Sequence, residues 1–326
     1  MTVILNEGDS AGTTGAASGS PVDAAPEPGK AMTRGRLVLI RFMRNKLALV
    51  GLVLILGMYL MAFVGPLLSK WSYDTQDYTA FLEPPYSEHI FGTDKIGTDM
   101  FALTMRGLQK SLIIGLLVAL ISTTVAAIVG AAAGYFLGVA DKALMWVVDL
   151  LLVLPSFLII AILSPWFRGK SWFLLVLMLA AFQWMITARI VRGMTLTLKE
   201  REFVKAAKFM GQPARKIIAK HIVPNMASLL IIDATINVGS AVLAETGLSY
   251  FGFGVQSPDV SLGTLIGLNA ESATTFPWLF LFPAGFLVVF VLAVNWVGDG
   301  LRDALDPTST RVRRKEKKDT KEKAAS

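Results

Sequence analysis

EFVKAAKFMGQPARKIIAKHIVPN, residues 202–225, is a polar, mostly basic segment in a chain that is otherwise very apolar, and another apolar run follows it. Phe203, Ala206, Ala207 and Met210 fall at i, i+3, i+4 and i+7, the spacing of one helix face. Gly211 can take the positive φ that ends a helix. Pro213 suits the first turn of a second helix, where its missing N–H costs nothing. Ala214, Ile217, Ile218, His221 and Ile222 repeat the apolar spacing, and Pro224 is expected to close that second helix. Lys205, Lys208, Arg215, Lys216 and Lys220 stand largely off the apolar face. The stretch therefore predicts two short amphipathic helices joined at a glycine.

Its surroundings set the class. Of 326 residues 54% are hydrophobic and 17% charged, with mean hydropathy +0.57; soluble domains lie near about 45–50% and 25%. The absence of cysteine excludes disulfides, Cys-ligated zinc and Cys nucleophiles, and two histidines, His89 and His221, make a His-rich metal site untenable. A bilayer core of about 30 Å needs ~20 helical residues. Six runs fit: 47–68, 112–137, 143–163 with Asp149, the short 172–188, 226–244 with Asp233, and 277–297. The expected fold class is an all-α integral membrane protein of six transmembrane helices. Residues 1–33, rich in Gly, Ala, Ser and Pro without a basic start and apolar core, predict a disordered tail instead of a signal peptide. The membrane domain is expected over 34–307 and a basic tail over 308–326.

The cations are distributed unevenly. They crowd before the first run (Arg34, Arg36, Arg41, Arg44, Lys46), after the fourth (from Arg189 to Lys220) and in the tail, whereas residues 247–276 hold no Lys or Arg. The positive-inside rule puts both termini and residues 202–225 in the cytoplasm. The net charge of +7 is thus a topology signal, and no nucleic-acid partner is expected. The helix pair itself could rest on anionic headgroups, read DNA as a helix-turn-helix, or dock on another protein. A loop pinned at both ends suits the second poorly, and the paired alanines favour close approach to a protein.

Ala206–Ala207, Gly211 and Ile222-Val223-Pro224 resemble the "EAA" loop of ABC importer permeases, with Lys205 where that family usually has Glu. His89-Ile90-Phe91-Gly92-Thr93-Asp94 with Gly97-Thr98-Asp99 resembles the signature after the first span of dipeptide, oligopeptide and nickel permeases, with Thr98 in place of the usual Arg. Residues 243–254, LAETGLSYFGFG, and 295–307, NWVGDGLRDALDP, resemble two further motifs of that family. The resemblance covers about residues 34–307 and points to the "C-type" subunit. It implies a type I importer permease in a bacterial or archaeal cell membrane, carrying di- or oligopeptides. Nickel, oligosaccharide and antimicrobial-peptide cargo stay open. The implied partners are a homologous second permease, two cytoplasmic ATPases, an extracytoplasmic solute-binding protein and membrane lipid. No catalytic residue, metal or cofactor is expected in this subunit, ATP and Mg being bound by the partner ATPases. Phe203, Ala206, Ala207, Met210, Gly211, Ile217, Ile218, Ile222 and Pro224 would form the ATPase-coupling loop. A self-sufficient secondary transporter or channel is the competing class; it predicts inverted repeats, and none is evident.

Other residues are weighed individually. Gly169-Lys170-Ser171 looks like the end of a P-loop but lacks its first glycine, since position 164 is Ser. Gly130, Gly134 and Gly138 form a small-residue row for helix packing. Asp233 is a pathway candidate because intramembrane acids are costly. Asp149 is expected near a cytoplasmic helix end. Asp94 and Asp99 suit turn and capping roles, and Asp299, Arg302, Asp303 and Asp306 a self-paired helix end. Residues 247–267, Gly-rich and apolar, are read as a gate or re-entrant segment at the outer mouth, with Glu245, Phe251 and Phe253 as gate candidates.

This topology has a direct test that the cysteine-free background makes clean. Ser257→Cys is expected to react with an impermeant thiol reagent in intact cells and Gln212→Cys is not; labelling of Gln212→Cys overturns the six-span model with both ends inside.

Overall fold

The structure, a computed structural model, describes residues 34–167 and 171–305. The two predicted tails, Asp306, and Gly169-Lys170 of the P-loop-like triplet lie outside the described residues. Twelve α-helices follow in order: α1 (Arg34–Met43), α2 (Lys46–Leu68), α3 (Met100–Phe136), α4 (Gly138–Val153), α5 (Ser156–Leu163), α6 (Phe173–Gln183), α7 (Met185–Lys199), α8 (Glu202–Phe209), α9 (Ala214–Ile217), α10 (Ala227–Tyr250), α11 (Leu262–Asn269) and α12 (Pro277–Leu305). Among the described residues the only extended pairings are the isolated bridges Gln76–Thr98 and Thr93–Asp99. Four continuous helical runs are long and apolar enough to cross a membrane: α2, α3, residues 214–250 and α12. Two bent pairs, α4 with α5 and α6 with α7, bring the number to six if each is one span.

The bends have local causes. Run 143–163 is not one rod: the chain turns by 77° between α4 and α5, where Leu154 precedes Pro155 and adopts ψ 130°. A residue before proline is pushed out of the helical region by the ring. Run 172–188 likewise divides, bending by 45° at Trp184. There the indole N–H donates to the Ala181 carbonyl at 2.9 Å, the acceptor that an unbroken helix would assign to Met185. Helix α7 then continues well past the apolar run, to Lys199. Its ion pairs explain this: Arg192 forks onto Asp141 at 2.6 Å through both Nε and an Nη, and Arg189 pairs with the exposed Asp149 of α4.

Helix α3 is the axis on which α2, α6, α7, α10 and α11 pack. It begins earlier than its apolar run predicts because a compact loop, residues 69–99, fixes its first turn. Asp99 accepts from Ala102 N–H at 2.7 Å and pairs with the buried His89 ring at 2.7 Å, which lies between Trp71 and Tyr86. Asp94 accepts from the N–H groups of Ile96 and Thr98 at 2.9 and 2.7 Å. Thr98 is held there through its backbone N–H. Along α3, Gly130 and Gly134 meet α7: a Cβ at Gly130 would strike the Ala188 carbonyl and lie 2.8 Å from Val191 Cβ, and one at Gly134 would lie 2.7 Å from Thr195 Cβ. Gly138, placed in the same row by spacing, does not pack. It has φ +61° with open space around it and starts α4. Asp303 accepts from Asn45 of α2's N-cap at 3.4 Å, so α12's end is tied to α2.

Gly130→Leu is expected to destabilise the subunit by about 1–3 kcal/mol through overpacking against α7. Gly57→Leu, whose Cβ would enter open space, is expected to leave detergent-solubilised thermal unfolding unchanged. Equal behaviour of the two variants contradicts the packing assigned here.

Candidate functional site

Residues 200–226 form an elbow on the side of α3 where Ala131 and Tyr135 lie. Helix α8 ends in a Schellman arrangement: Gly211, at φ +74°, donates to Lys208 O at 3.0 Å and Gln212 donates to Ala207 O at 3.2 Å. Both bonds satisfy carbonyls left over at the helix end. Pro213 opens α9, receiving the N–H groups of Lys216 and Ile217 on its carbonyl at 2.9 and 3.1 Å. Pro224 does not close this second helix. The chain runs from α9 through a π-turn, Ile218–Ile222, and a 3-10 turn, Val223–Met226, directly into α10. Wider and tighter turns absorb the hydrogen bond that proline cannot make, and the Asn225 side chain donates to the His221 carbonyl at 2.7 Å.

The faces of α8 differ from the spacing argument. Val204 and Ala207 point inward and pack with Ile217, Ile222, Met226, Ala131 of α3 and Val191 of α7. Ala207 is 1% exposed. Phe203, Ala206 and Met210, assigned to the same face as Ala207, point outward instead. Met210 is 71% exposed and Phe209, which the periodicity did not single out, 90%. The i, i+3 pair Val204–Ala207 carried the signal for the inner face, and the wide Phe203–Met210 stripe masked it. Lys205 bonds Glu200 at 3.0 Å and holds that carboxyl below the usual glutamate range. Lys208, Arg215, Lys216 and Lys220 surround the outward face, exposed. The result is an apolar knob in a basic collar, presented on a rigid turn.

Behind the elbow lies an apolar cavity of about 530 Å³, lined by Thr123, Ile128 and Phe136 of α3, Arg215 and Ile218 of the elbow, and Leu230 of α10, among others. Asp233 stands behind its Thr123 wall. It accepts from Thr187 and Asn237 at 2.9 Å and from Thr123 at 3.4 Å, tying α3, α7 and α10 together by neutral donors. Both carboxylate oxygens are thus partnered in the conformation seen.

At the opposite end of α10 the segment read as an irregular loop from Gly247 is shorter, because α10 continues to Tyr250 and α11 occupies residues 262–269. Glu245 does not face a pathway. It is 0% exposed and accepts from Ser249 and Ser261 at 2.6 Å and Ser111 at 3.3 Å, while Leu262 N–H donates back to Ser111 at 3.2 Å. The carboxylate is the hub joining α3, α10 and α11. Phe253 packs into the core formed with α3 and α6, and Phe251 lies on the surface edge-on to Phe157, centroids 5.7 Å apart. Sequence reading missed Arg106, Lys110 and Asp259, which meet beside this hub. Their signal is the pair of cations four residues apart that precede an apolar run on the side otherwise poor in cations.

Residues 126–311 match the family model described as binding-protein-dependent transport system inner membrane component. Residues 33–85 match that of the N-terminal TM domain of oligopeptide transport permease C. The oligopeptide transport system permease protein OppC of Mycobacterium tuberculosis H37Rv is 55% identical over 283 residues, 86% of this chain and 97% of the relative. Its namesake in Bacillus subtilis is 36% identical over 87% of this chain and 93% of its own. That of Escherichia coli K12 is 39% identical over 82% and 89%.

The hub predicts a stability phenotype. Glu245→Ala removes the acceptor shared by three hydroxyls and is expected to lower subunit stability by about 1–3 kcal/mol, with Glu245→Gln milder, both read by thermal unfolding in detergent. Lost transport at unchanged stability would contradict a structural role.

Proposed function

This chain belongs to the family of binding-protein-dependent transport system inner membrane components, permease subunits of ATP-binding-cassette importers, and on that premise we propose that it forms half of a pathway for oligopeptides. High identity to OppC proteins over nearly their whole length supports the cargo. The exposed knob of α8 carries the mechanical reading: a helix whose inner face is already packed and whose apolar outer face is open is built to be gripped. Exposed apolar groups gathered on one face mark a contact with another protein.

In this reading both termini and the elbow are cytoplasmic. Two partner ATPases bind ATP and Mg and dock on the elbows of this subunit and of a homologous second permease. A solute-binding protein delivers peptide from outside. This subunit carries the pathway and no nucleotide chemistry of its own. When the ATPases close, they pull Phe203, Phe209 and Met210. Val204 and Ala207 transmit the displacement to α3 and α7, and the π-turn and 3-10 turn pass it into α10 without a flexible joint. Alternating access then follows as rocking of helices around a central path. A peripheral anchor on lipid headgroups would instead depend on the basic collar.

The two faces of α8 separate these readings. Phe209→Asp with Met210→Asp is expected to reduce ATPase co-purification strongly while leaving the subunit's own thermal unfolding unchanged. Ala207→Glu places a charge in the packed inner face, an expense of several kcal/mol without a partner, and is expected to destabilise the subunit itself. Full ATPase recovery by the Phe209/Met210 double variant overturns the docking assignment.

A further inference from the structure

The apolar cavity behind the elbow, about 530 Å³, has three walls. Helix α3 supplies one between Thr123 and Phe136, the elbow supplies a second with Ile218 and Val223, and Leu230 of α10 belongs to the third. At ~1.5 Å per residue the α3 wall is ~20 Å long. That is close to one leaflet of a bilayer about 40–45 Å thick with its headgroups.

The lining discriminates among occupants. Its two hydroxyls already donate, Thr123 to Asp233 at 3.4 Å and Thr124 to the Leu120 carbonyl at 2.7 Å. A peptide in transit carries an N–H and a C=O at nearly every residue, and burying these against such walls without partners is costly. The exposed side chains of α3 along the same stretch, Leu120, Ile128 and Phe136, are apolar as well. The slot thus faces hydrocarbon and not a water-filled path.

On the elbow side this apolar character ends. Arg215 is the one charged residue among the described lining. It is exposed, and its guanidinium forms no ion pair or hydrogen bond among the described residues. Arg189, Arg192 and Lys205, by contrast, each have an acid. A planar guanidinium with unengaged N–H groups matches phosphate oxygens in pairs. A second protein seated here would have to bring both an acid to Arg215 and an apolar chain to the slot. A phospholipid carries the two in one molecule.

We propose that this cavity holds one anionic phospholipid of the cytoplasmic leaflet, with an acyl chain along α3 and the phosphate on Arg215. The choice of leaflet rests on the orientation proposed above; the site itself does not. Such a lipid differs from a peripheral headgroup anchor, because it lies behind the elbow and leaves the outward knob of α8 uncovered. Ile218 and Val223 then bear on the alkyl chain, so a push on the elbow reaches α3 through lipid as well as through Ala207.

The test uses the assembled complex in nanodiscs, and the probe is phosphatidylglycerol with a photoactivatable diazirine midway along one acyl chain. Illumination and peptide mapping are expected to find label between Thr123 and Phe136 and between Arg215 and Val223. Unlabelled phosphatidylglycerol is expected to compete several-fold better than zwitterionic phosphatidylcholine. Ala132→Trp, which fills the slot, is expected to cut this labelling by more than about fivefold, since an indole and an alkyl chain cannot share one close-packed space. Labelling of the exposed face of α2, at Val53, Leu60 and Leu67, should stay constant and so report an intact subunit. Arg215→Gln should abolish the preference for phosphatidylglycerol, and Arg215→Lys should keep most of it. Label on α2 with none in the slot means that another subunit covers the cavity, and overturns the proposal. Equal competition by the two lipids in the unmodified complex removes Arg215 from the site. Both leaflets of the disc carry the probe, so a reversed orientation would leave the labelling intact; that failure is read separately by Gln212→Cys.

Discussion

The approach of α3 to α7 without intervening side chains is the constraint from which the rest of the subunit follows. At Gly130 and Gly134 the backbone of α3 lies against Ala188, Val191 and Thr195 so closely that a methyl group does not fit. In a lipid solvent apolar burial does not drive helices together, so close van der Waals packing and interhelical hydrogen bonds must. This contact fixes α7, and α7 in turn fixes α4 through Arg192–Asp141 and Arg189–Asp149. It also brings Thr187 within reach of Asp233 on α10 and holds Val191 under the inner face of α8. The core helices and the elbow share one rigid foundation.

The polar groups within this foundation follow a consistent division. Where acids lie inside the helix assembly they are surrounded by neutral donors: Thr123, Thr187 and Asn237 for Asp233, and three serines for Glu245. A fully satisfied buried network rigidifies its surroundings, whereas an incomplete one is costly. Full ion pairs lie toward the ends: Arg189–Asp149 and Lys205–Glu200 are open to solvent, and Arg192–Asp141 and Lys110–Asp259 are partly covered. The innermost helix ties are therefore made by hydroxyls and amides, and the charged ties, Arg192–Asp141 among them, lie nearer the helix ends.

The architecture was legible because apolar length is a strong, local signal: the six runs in the sequence all fall on helices that the structure describes. Motif residues such as Gly211, and Asp99 as a helix cap, were legible too, since a positive φ and a free carboxylate before a helix leave few alternatives. Direction was less so. Phe203 and Ala207 satisfy one helical stripe on paper, yet only Ala207 faces inward, because the inner face is set by contact with Ala131 and Val191, far away in the chain. Pro224 reads as a stop, but a π-turn upstream absorbs it. Gly138 continues a four-residue spacing that the break at Leu137 has already ended. Glu245 reads as a gate because its serine partners come from three helices or their caps, two of them remote in sequence. The Lys110–Asp259 contact spans two segments with no shared motif and depends wholly on how α3 and α10 pack.

The closed inner face of α8 also bears on how such a transporter is put together. A docking helix that ordered only on contact would spend part of its binding free energy on conformational entropy. Here the Schellman turn, the packed Val204–Ala207 face and the Lys205–Glu200 bond set the elbow's shape within one chain. The membrane subunit can thus leave the insertion machinery with its handle already formed. Under the docking proposed above, the ATPases meet a finished part, and biogenesis in the bilayer is separated in time from recruitment.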